Sequence, residues 1–216
     1  AVGASNEALA EYSTAVGNYN SATEVDSSAI GSYNSAEAEN SNAFGSFNSA
    51  TAANSNAFGT GNIVGEYAAN SNAFGTGNIV EESAENSNAF GSSNRVTAKH
   101  STAVGFENES ISEGSTALGY YNHATGIDST ALGNKNAAIG ENSIALGSRN
   151  QAMGANSISI GASDGTQGTL TYDDPINPTK ITQVNGIDVT STGLNVTDIT
   201  EINGQVANAE QIAALD

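Results

Sequence analysis

The sequence contains no cysteine and no tryptophan, and it has only two prolines. Without cysteine the chain can form neither a disulfide framework nor a zinc site built on thiolates. Basic residues are also scarce, because five Lys and Arg stand against 23 Asp and Glu, which gives a formal net charge of −18. A surface of that sign repels phosphate backbones and anionic lipids, so we expect no nucleic-acid partner and no binding to anionic membrane surfaces.

Bulky apolar residues are few and never form a long run. Leu, Ile, Val and Phe together number 39 of the 216 residues, whereas Ala supplies 34 and Asn 28. No apolar stretch approaches the roughly 18–20 residues of a membrane span, so we do not expect this chain to cross a membrane. Few bulky side chains with a high net charge are typical of disordered chains and argue against a conventional globular core.

A repeat of Ser-x-Ala-apolar-Gly overrides the prediction of disorder. It reads STAVG at residues 13–17 and SIALG at residues 143–147, and an Asn follows each of the first eleven closing glycines by three residues. The closing glycines are 14 residues apart except at two steps of 16, and they are Gly3, Gly17, Gly31, Gly45, Gly59, Gly75, Gly91, Gly105, Gly119, Gly133, Gly147 and Gly161. The repeat is already under way at the first residues, with no signal peptide before it, so we expect this chain to be a piece of a longer protein.

Fourteen residues are too few for a helical repeat of about 33–47 residues, but they accommodate two short strands and two tight turns. The repeat therefore predicts an all-β solenoid with one coil per repeat. Gly would close each strand because the turn requires a positive φ or a close backbone approach. The Asn three residues later would take a left-handed turn position. Ladders of identical residues about 4.8 Å apart would make a rod of about 11 or 12 coils, roughly 55 Å tall.

Side-chain alternation assigns the two faces of the strand in each repeat. Because a two-stranded coil is thin, we expect Ser and Ala to face the interior and the large apolar residues to form an exposed stripe. A soluble protein rarely exposes such a stripe, so we predict that identical stripes self-associate as a dimer or trimer. The stripe, which is the predicted trimer interface, consists of Val16, Ile30, Phe44, Phe58, Phe74, Phe90, Val104, Leu118, Leu132, Leu146 and Ile160. The alternative places the large residues inside and Ala outside.

The two repeats of 16 residues carry their extra residues around Val64–Tyr67 and Val80–Ser83. Insertions in solenoids form loops on one face, so we expect slightly protruding acidic loops at these places. Exposed aromatic residues can serve as contact points for a partner. The candidate surface contacts are Tyr67, Glu81, Glu82, Tyr120 and Tyr121. The alternative for the aromatic residues is that they cover the edges of the coils.

The last quarter of the chain departs from the repeat. We predict head repeats over 1–161, a connector and neck over 162–198, and the start of a coiled-coil stalk over 199–216. The apolar residues of 181–194 indicate short strands that are broken at Asn185–Gly186 and at Gly193. A spacing of 3-4-3-4 between apolar residues indicates a heptad seam in the final segment, with a frayed terminal helix as the alternative. These residues are Ile199, Ile202, Val206, Ala209 and Ala213.

No motif in the sequence carries a catalytic or metal site. The string GASDG at 161–165 resembles a nucleophile elbow, but that motif requires a later His, and both His100 and His123 precede it. GTGNIVG at 59–65 misses the spacing of a dinucleotide-binding loop by one residue. Asp26 and Asp128 do not recur at the turns, as a calcium-binding solenoid would require. We therefore expect no enzyme activity, no metal and no cofactor, with both His side chains solvated.

The repeat resembles the head repeat of trimeric autotransporter adhesins, the YadA-like head. NSIALG at 142–147 is nearly that family's repeat as it stands, and the similarity covers residues 1–161. KITQV at 180–184 is similar to the family's neck motif, and EINGQ at 201–205 resembles the segment that leads into its stalks. The resemblance implies a left-handed parallel β-roll of three chains about one axis, anchored in the bacterial outer membrane through a C-terminal part that this sequence lacks.

The function that this resemblance implies is that of a cell-surface adhesin head, a rigid multivalent rod. Its expected partners are two further copies of itself and a ligand in the extracellular matrix, on a cell surface or on a glycan. The alternative is a trimeric shaft of a phage tail fibre or another extracellular filament, because such shafts also use solenoids and coiled coils. An ice- or carbohydrate-binding solenoid is weakly indicated, since Thr14, Thr102, Thr116 and Thr130 share a register but alternate with Asn and Ser.

Overall fold

The structure is a computed structural model that describes residues 1–162 together with the strand residues 169–170, 183–184, 187–190 and 193–194. These residues form β-strands and turns, and no helix occurs among them. Up to residue 162, long strands of five residues, the first of three, alternate with short strands of two. The strands are β1 (Val2–Ala4), β2 (Glu7–Ala8), β3 (Thr14–Asn18), β4 (Ser21–Ala22), β5 (Ser28–Ser32), β6 (Ser35–Ala36), β7 (Asn42–Ser46), β8 (Ser49–Ala50), β9 (Asn56–Thr60), β10 (Ile63–Val64), β11 (Asn72–Thr76), β12 (Ile79–Val80), β13 (Asn88–Ser92), β14 (Arg95–Val96), β15 (Thr102–Phe106), β16 (Glu109–Ser110), β17 (Thr116–Tyr120), β18 (His123–Ala124), β19 (Thr130–Asn134), β20 (Ala137–Ala138), β21 (Ile144–Ser148), β22 (Gln151–Ala152), β23 (Ile158–Ala162), β24 (Thr169–Leu170), β25 (Gln183–Val184), β26 (Ile187–Thr190) and β27 (Gly193–Leu194).

The strands of residues 1–162 stack into two parallel sheets that run the length of one solenoid, called the rod below. The long-strand sheet joins β1 through every odd-numbered strand to β23, and the short-strand sheet joins β2 through every even-numbered strand to β22. Equivalent residues of successive coils are neighbours, so Ala15 pairs with Ala29 and Val16 with Ile30. This arrangement confirms the predicted all-β solenoid of about 11 coils.

Three further strands and a sheet-closing strand lie beyond residue 162. β24 is antiparallel to β23 at the end of the long-strand sheet, and β25, β26 and β27 form an antiparallel sheet. Short strands were predicted over 181–194, and Gly193, predicted as a break, lies instead within β27. The predicted coiled-coil start at 199–216 and most of the predicted connector fall outside the described residues.

The interior of the rod holds only small side chains. The repeat Ala is fully buried from Ala15 to Ala145, and so is the Ser two residues before it from Ser27 to Ser143. These columns confirm the prediction that the Ser and Ala face lies inside. The alternative with large residues inside is wrong, because the two sheets of a coil are joined by tight turns and stand too close to accommodate Leu or Phe between them.

The two coils of 16 residues, called the wide coils below, have a larger interior than their neighbours. Val64 and Val80 occupy the short-strand position that Ala holds in most other coils, and both are fully buried. Ala68 and Ala84, which lie in the extra turn residues, are also fully buried. Larger side chains thus fill the volume that the insertion opens, as close packing requires.

A ladder of buried Asn side chains supplies the polar part of the interior. The Nδ2 of Asn108 donates to Asn94 Oδ1 at 3.0 Å and to the carbonyl oxygens of Val104 and Gly119 at 3.0 and 2.8 Å. Its Oδ1 accepts hydrogen bonds from both the backbone N–H and the Nδ2 of Asn122, each at 3.0 Å. Every polar atom of this buried amide is therefore paired, which is the condition for burying it without a large free-energy cost.

The ladder corrects one prediction about the turns. The Asn residues, such as Asn20 and Asn34, do not take the left-handed conformation; the residues before them do, with φ of 54° at Tyr19 and 56° at Tyr33. The reason is directional: the left-handed residue points outward at the turn, whereas the next residue points inward, where an amide can bond to its copies above and below.

We predict that Asn108→Asp lowers the free energy of unfolding by about 3 kcal/mol or more, because a carboxylate oxygen would face three acceptors that now receive hydrogen bonds. The substitution hardly changes the volume of the side chain. Urea unfolding measures the effect, with Asn142→Asp as the control, since Asn142 is exposed and Asp128 holds the equivalent position in another coil. Equal unfolding midpoints for the two variants would contradict the ladder.

The glycine that ends each repeat is required by both space and conformation. Gly105 has a φ of +120°, and a Cβ built on it would lie 2.0 Å from the carbonyl oxygen of Gly119 in the next coil. Gly61, in the turn of a wide coil, has a φ of +65° and open space around the position of a Cβ. The two glycines therefore have different physical roles.

We predict that Gly105→Ala destabilises the rod by more than about 3 kcal/mol, because the methyl group overlaps backbone of the next coil and φ is strained. Gly61→Ala should change stability by less than about 1 kcal/mol, since non-glycine residues hold the same conformation in other coils. Thermal unfolding of the two variants tests the difference. Similar losses at both positions would show that the coils are not packed as described.

Candidate self-association surface and rod edges

The predicted interface residues, from Val16 to Ile160, all lie in one column on the outer face of the long-strand sheet. Each follows a buried Ala of its strand and so points away from the interior, and the paired registers place each directly beside the next. They are half-buried to exposed; 39% of Ile30 and of Leu118 remains exposed. We keep the name stripe for this column.

Four phenylalanines form the middle of the stripe and stack on one another. The ring centroids of Phe44 and Phe58 are 4.7 Å apart, and those of Phe58 and Phe74 are 4.9 Å apart, with nearly parallel planes. Phe90 continues the column at 5.2 Å with its ring tilted by 31°. The stack follows the spacing of the coils, so the sheet itself holds the rings in place.

A second column of amides runs beside these rings on the same outer face. Asn42 Nδ2 donates to Asn56 Oδ1 at 2.9 Å, and Asn56 and Asn72 donate in the same way to Asn72 and Asn88 at 2.8 Å. In other coils this position holds Thr, Ser or Ile. The middle of the outer face is thus an ordered pattern of rings and amides.

The outer face of the long-strand sheet carries no charge. None of the long strands from β1 to β23 contains Asp, Glu, Lys, Arg or His, although the chain has a net charge of −18. The charged residues of 1–162 lie in the turns and on the short strands. This segregation was readable in the sequence, since the repeat segments contain no charged residue, but net charge alone does not reveal it.

The turn after each long strand forms the first edge of the rod. Its left-handed residues are Ser5, Tyr19, Tyr33, Phe47, Gly61, Gly77, Ser93, Glu107, Tyr121, Lys135 and Arg149. Tyr19, Tyr33 and Phe47 stack with centroid distances of 5.0 and 4.9 Å and remain largely exposed. At Gly61 and Gly77 the column carries no side chain. The first edge therefore changes from aromatic to empty to polar along the rod.

The turn after each short strand forms the second edge. Its left-handed residues are Tyr12, Asp26, Asn40, Asn54, Asn70, Asn86, His100, Gly114, Asp128, Asn142 and Asn156. The extra residues of the wide coils lie on this edge after β10 and β12, where they were predicted. Tyr67 is 65% exposed there, and Glu82 is exposed in the next coil. A hydrogen bond to Glu66 and the charge of that carboxylate raise the pKa of the Tyr67 phenol.

The other candidate contacts, Tyr120 and Tyr121, lie where the stripe residues are aliphatic. Tyr120 stacks on Phe106 at 5.4 Å and meets Tyr121 edge to face at 4.5 Å. Lys135 Nζ lies 5.9 Å from the centre of the Tyr121 ring. A hydrogen bond to Glu107 raises the pKa of Tyr121. The structure thus joins these residues into one exposed cluster at the first edge.

Ion pairs on the rod are exposed and link neighbouring coils. Arg95 lies 2.9 Å from Glu81 and Lys99 lies 3.1 Å from Glu85, and such exposed pairs contribute little to stability. His123 Nδ1 lies 3.0 Å from Glu109. Within the described part of the chain, no three His, Asp or Glu side chains cluster as metal ligands would.

The comparison with known families decides what kind of repeat this is. The family model of the YadA head domain repeat matches residues 1–20, 22–47, 83–108, 111–136 and 138–163, which is more than half of the chain. The chain belongs to the YadA head domain repeat family. The matched segments leave out 48–82, where the first wide coil lies. A search of the curated proteins found no match.

Membership of this family confirms the resemblance of the repeat to the head of trimeric autotransporter adhesins. YadA head repeats and a β-solenoid are structural features of adhesins and not of enzymes. Among the described residues, no helix has the length and apolar character needed to span a membrane.

Proposed function

We propose that this chain is the head of a trimeric autotransporter adhesin, in which three copies form one rod that attaches a bacterium to a surface. In this proposal the coils wind as a left-handed β-roll, 162–198 forms the neck, and 199–216 begins a coiled-coil stalk. The head is displayed outside the cell and anchored in the outer membrane through a C-terminal part. Membership of the YadA head family supports each of these statements.

The observation that carries the homotrimer is the uncharged outer face of the long-strand sheet. Each copy has a net charge of −18, so two copies can approach closely only through a face without carboxylates. The stripe supplies that face with apolar residues along the whole rod. Covering the exposed half of eleven such side chains contributes about 10 kcal/mol per chain, enough to offset the entropy cost of association.

Attachment follows from the shape of such a trimer. With the long-strand sheets turned toward a common axis, the short-strand sheets and both edges remain on the outside, where the carboxylates and exposed aromatic residues lie. Each surface group then occurs three times at the same height on a rigid rod, so weak contacts add through avidity. The proposed ligand is a component of the extracellular matrix, a cell surface or a glycan.

We predict that the purified chain sediments with three times its mass of 21.7 kDa and that Phe58→Glu sediments as a folded monomer. A carboxylate in the middle of the stripe would be buried without a partner in the trimer but solvated in the monomer. Ile63→Glu is the control, since Ile63 is a partly exposed apolar residue in the same coil but in the short-strand sheet. A wild-type monomer at micromolar concentration would refute the trimer.

We predict that the trimer binds immobilised matrix proteins, cultured cells or glycans, and that the Phe58→Glu monomer binds the same target about 10²-fold more weakly because avidity is lost. Surface binding assays measure both, with Ile63→Glu as the trimeric control. If the trimer binds none of these targets, it is a filament without adhesive function.

A further inference from the structure

The two edges of the rod have opposite shapes in the wide coils. On the first edge Gly61 and Gly77 leave the surface without side chains, and a Cβ on Gly61 would meet nothing within 4 Å. On the second edge the same coils carry two extra residues each, and Tyr67 is exposed from one of these turns. One edge therefore has a notch at the height where the other has a protrusion.

The backbone does not require glycine in the notch. The φ values of Gly61 and Gly77 are 65° and 62°, close to the 54–57° of Tyr19, Tyr33 and Phe47 in the same column. Asn, Ser, Lys or Arg would fit this conformation as they do elsewhere on the two edges. The missing side chains therefore create space rather than relieve strain, and the space opens beside the last ring of the aromatic stack, Phe47.

The edges also match in charge near the far end of the rod. Lys135 and Arg149 are exposed on the first edge, and neither forms an ion pair with any residue of the described chain. On the second edge the exposed residues within half a coil of these cations are Asp128 and Glu141. Cations and carboxylates thus stand at equal heights on opposite edges of the same molecule.

The first coils repeat the match with apolar residues. Tyr19 on the first edge lies between the heights of Tyr12 and Val25 on the second, and all three are exposed. One pair of like charge, Glu107 and Glu113, also falls within half a coil of each other. Shape, apolar character and most charges therefore correspond level by level.

Symmetry explains why matching heights matter. A rotation about an axis parallel to the rod brings the first edge of one copy beside the second edge of its neighbour and leaves every coil at its own height. We propose that the two edges are the complementary halves of one contact between neighbouring copies of this chain, in which Tyr67 of one copy occupies the notch over Gly61 and Gly77 of the next. This inference rests on the proposed homotrimer and adds which edge residues meet and what fixes the axial register.

Cysteine cross-linking tests the contact directly, because the chain has no cysteine of its own. The variant Gly61→Cys with Tyr67→Cys should form disulfides between neighbouring copies and run as a covalent trimer in non-reducing denaturing electrophoresis. A disulfide within one chain would leave the band at the monomer position, so the two cases are distinguished. Gly61→Cys with Asn142→Cys is the control, since Asn142 lies on the second edge several coils away, and it should remain monomeric.

The outcomes separate this inference from the proposed function. A wild-type chain that sediments as a monomer refutes the trimer and with it the edge contact. A wild-type trimer whose Gly61→Cys, Tyr67→Cys variant also sediments as a trimer but does not cross-link refutes the edge contact alone. Cross-linking in the control as well would mean that the copies slide along the rod, which also contradicts the proposal.

Charge reversal provides a second measurement at the far end of the rod. Lys135→Glu with Arg149→Glu should raise the concentration at which the trimer dissociates by about tenfold, because four carboxylates would then meet at each contact. Adding Asp128→Lys with Glu141→Lys should restore the wild-type dissociation concentration. If the fourfold variant dissociates as readily as the first, these residues do not face each other.

Discussion

The narrowness of the coil is the constraint on which the rest of the structure depends. Two sheets joined by tight turns leave room for Ala15, Ala22 and Asn20 but not for a larger side chain, so little apolar area is buried per residue. The interior therefore relies on hydrogen bonds that repeat in every coil, and each Asn amide is bonded to the amides above and below it. Because bulky apolar residues are excluded from the inside, they can only line the outside, where an isolated chain would expose them.

Segregation of charge follows from the same constraint. An outer face that must be covered by another copy cannot carry carboxylates, since each copy repeats the charge of the first. The long strands accordingly contain only uncharged residues, and the carboxylates occupy the turns and the short strands, which face solvent in the proposed trimer. Folding of the coil and association of the chains thus depend on one arrangement of residues in a single 14-residue repeat.

The sequence allowed much of this architecture to be predicted, because in a solenoid the period of the sequence is the period of the structure. The 14-residue phase gave the coils, and alternation within STAVG placed Ala15 inside and Val16 outside. The conformation of Asn20 was predicted wrongly, because residue preference pointed to a left-handed turn, whereas the coil stacks this side chain against Asn6 and Asn34. The correspondence between the edges was beyond prediction, since Gly61 and Tyr67 share a height only once the turns are known.

The wide coils show how such a rod can vary without losing its core. The two extra residues enter only at the second edge, and the register of Phe58 with Phe74 and the bond from Asn78 Nδ2 to Asn62 Oδ1 at 3.0 Å continue through them unchanged. Insertion therefore alters the outline of one edge while the long-strand sheet and the Asn ladder stay the same. The family repeat is also unmatched over 48–82, across the first wide coil. Because the inner sheet and ladder tolerate little change, the edges are where a head of this kind can acquire specificity, both for its own copies and for a ligand.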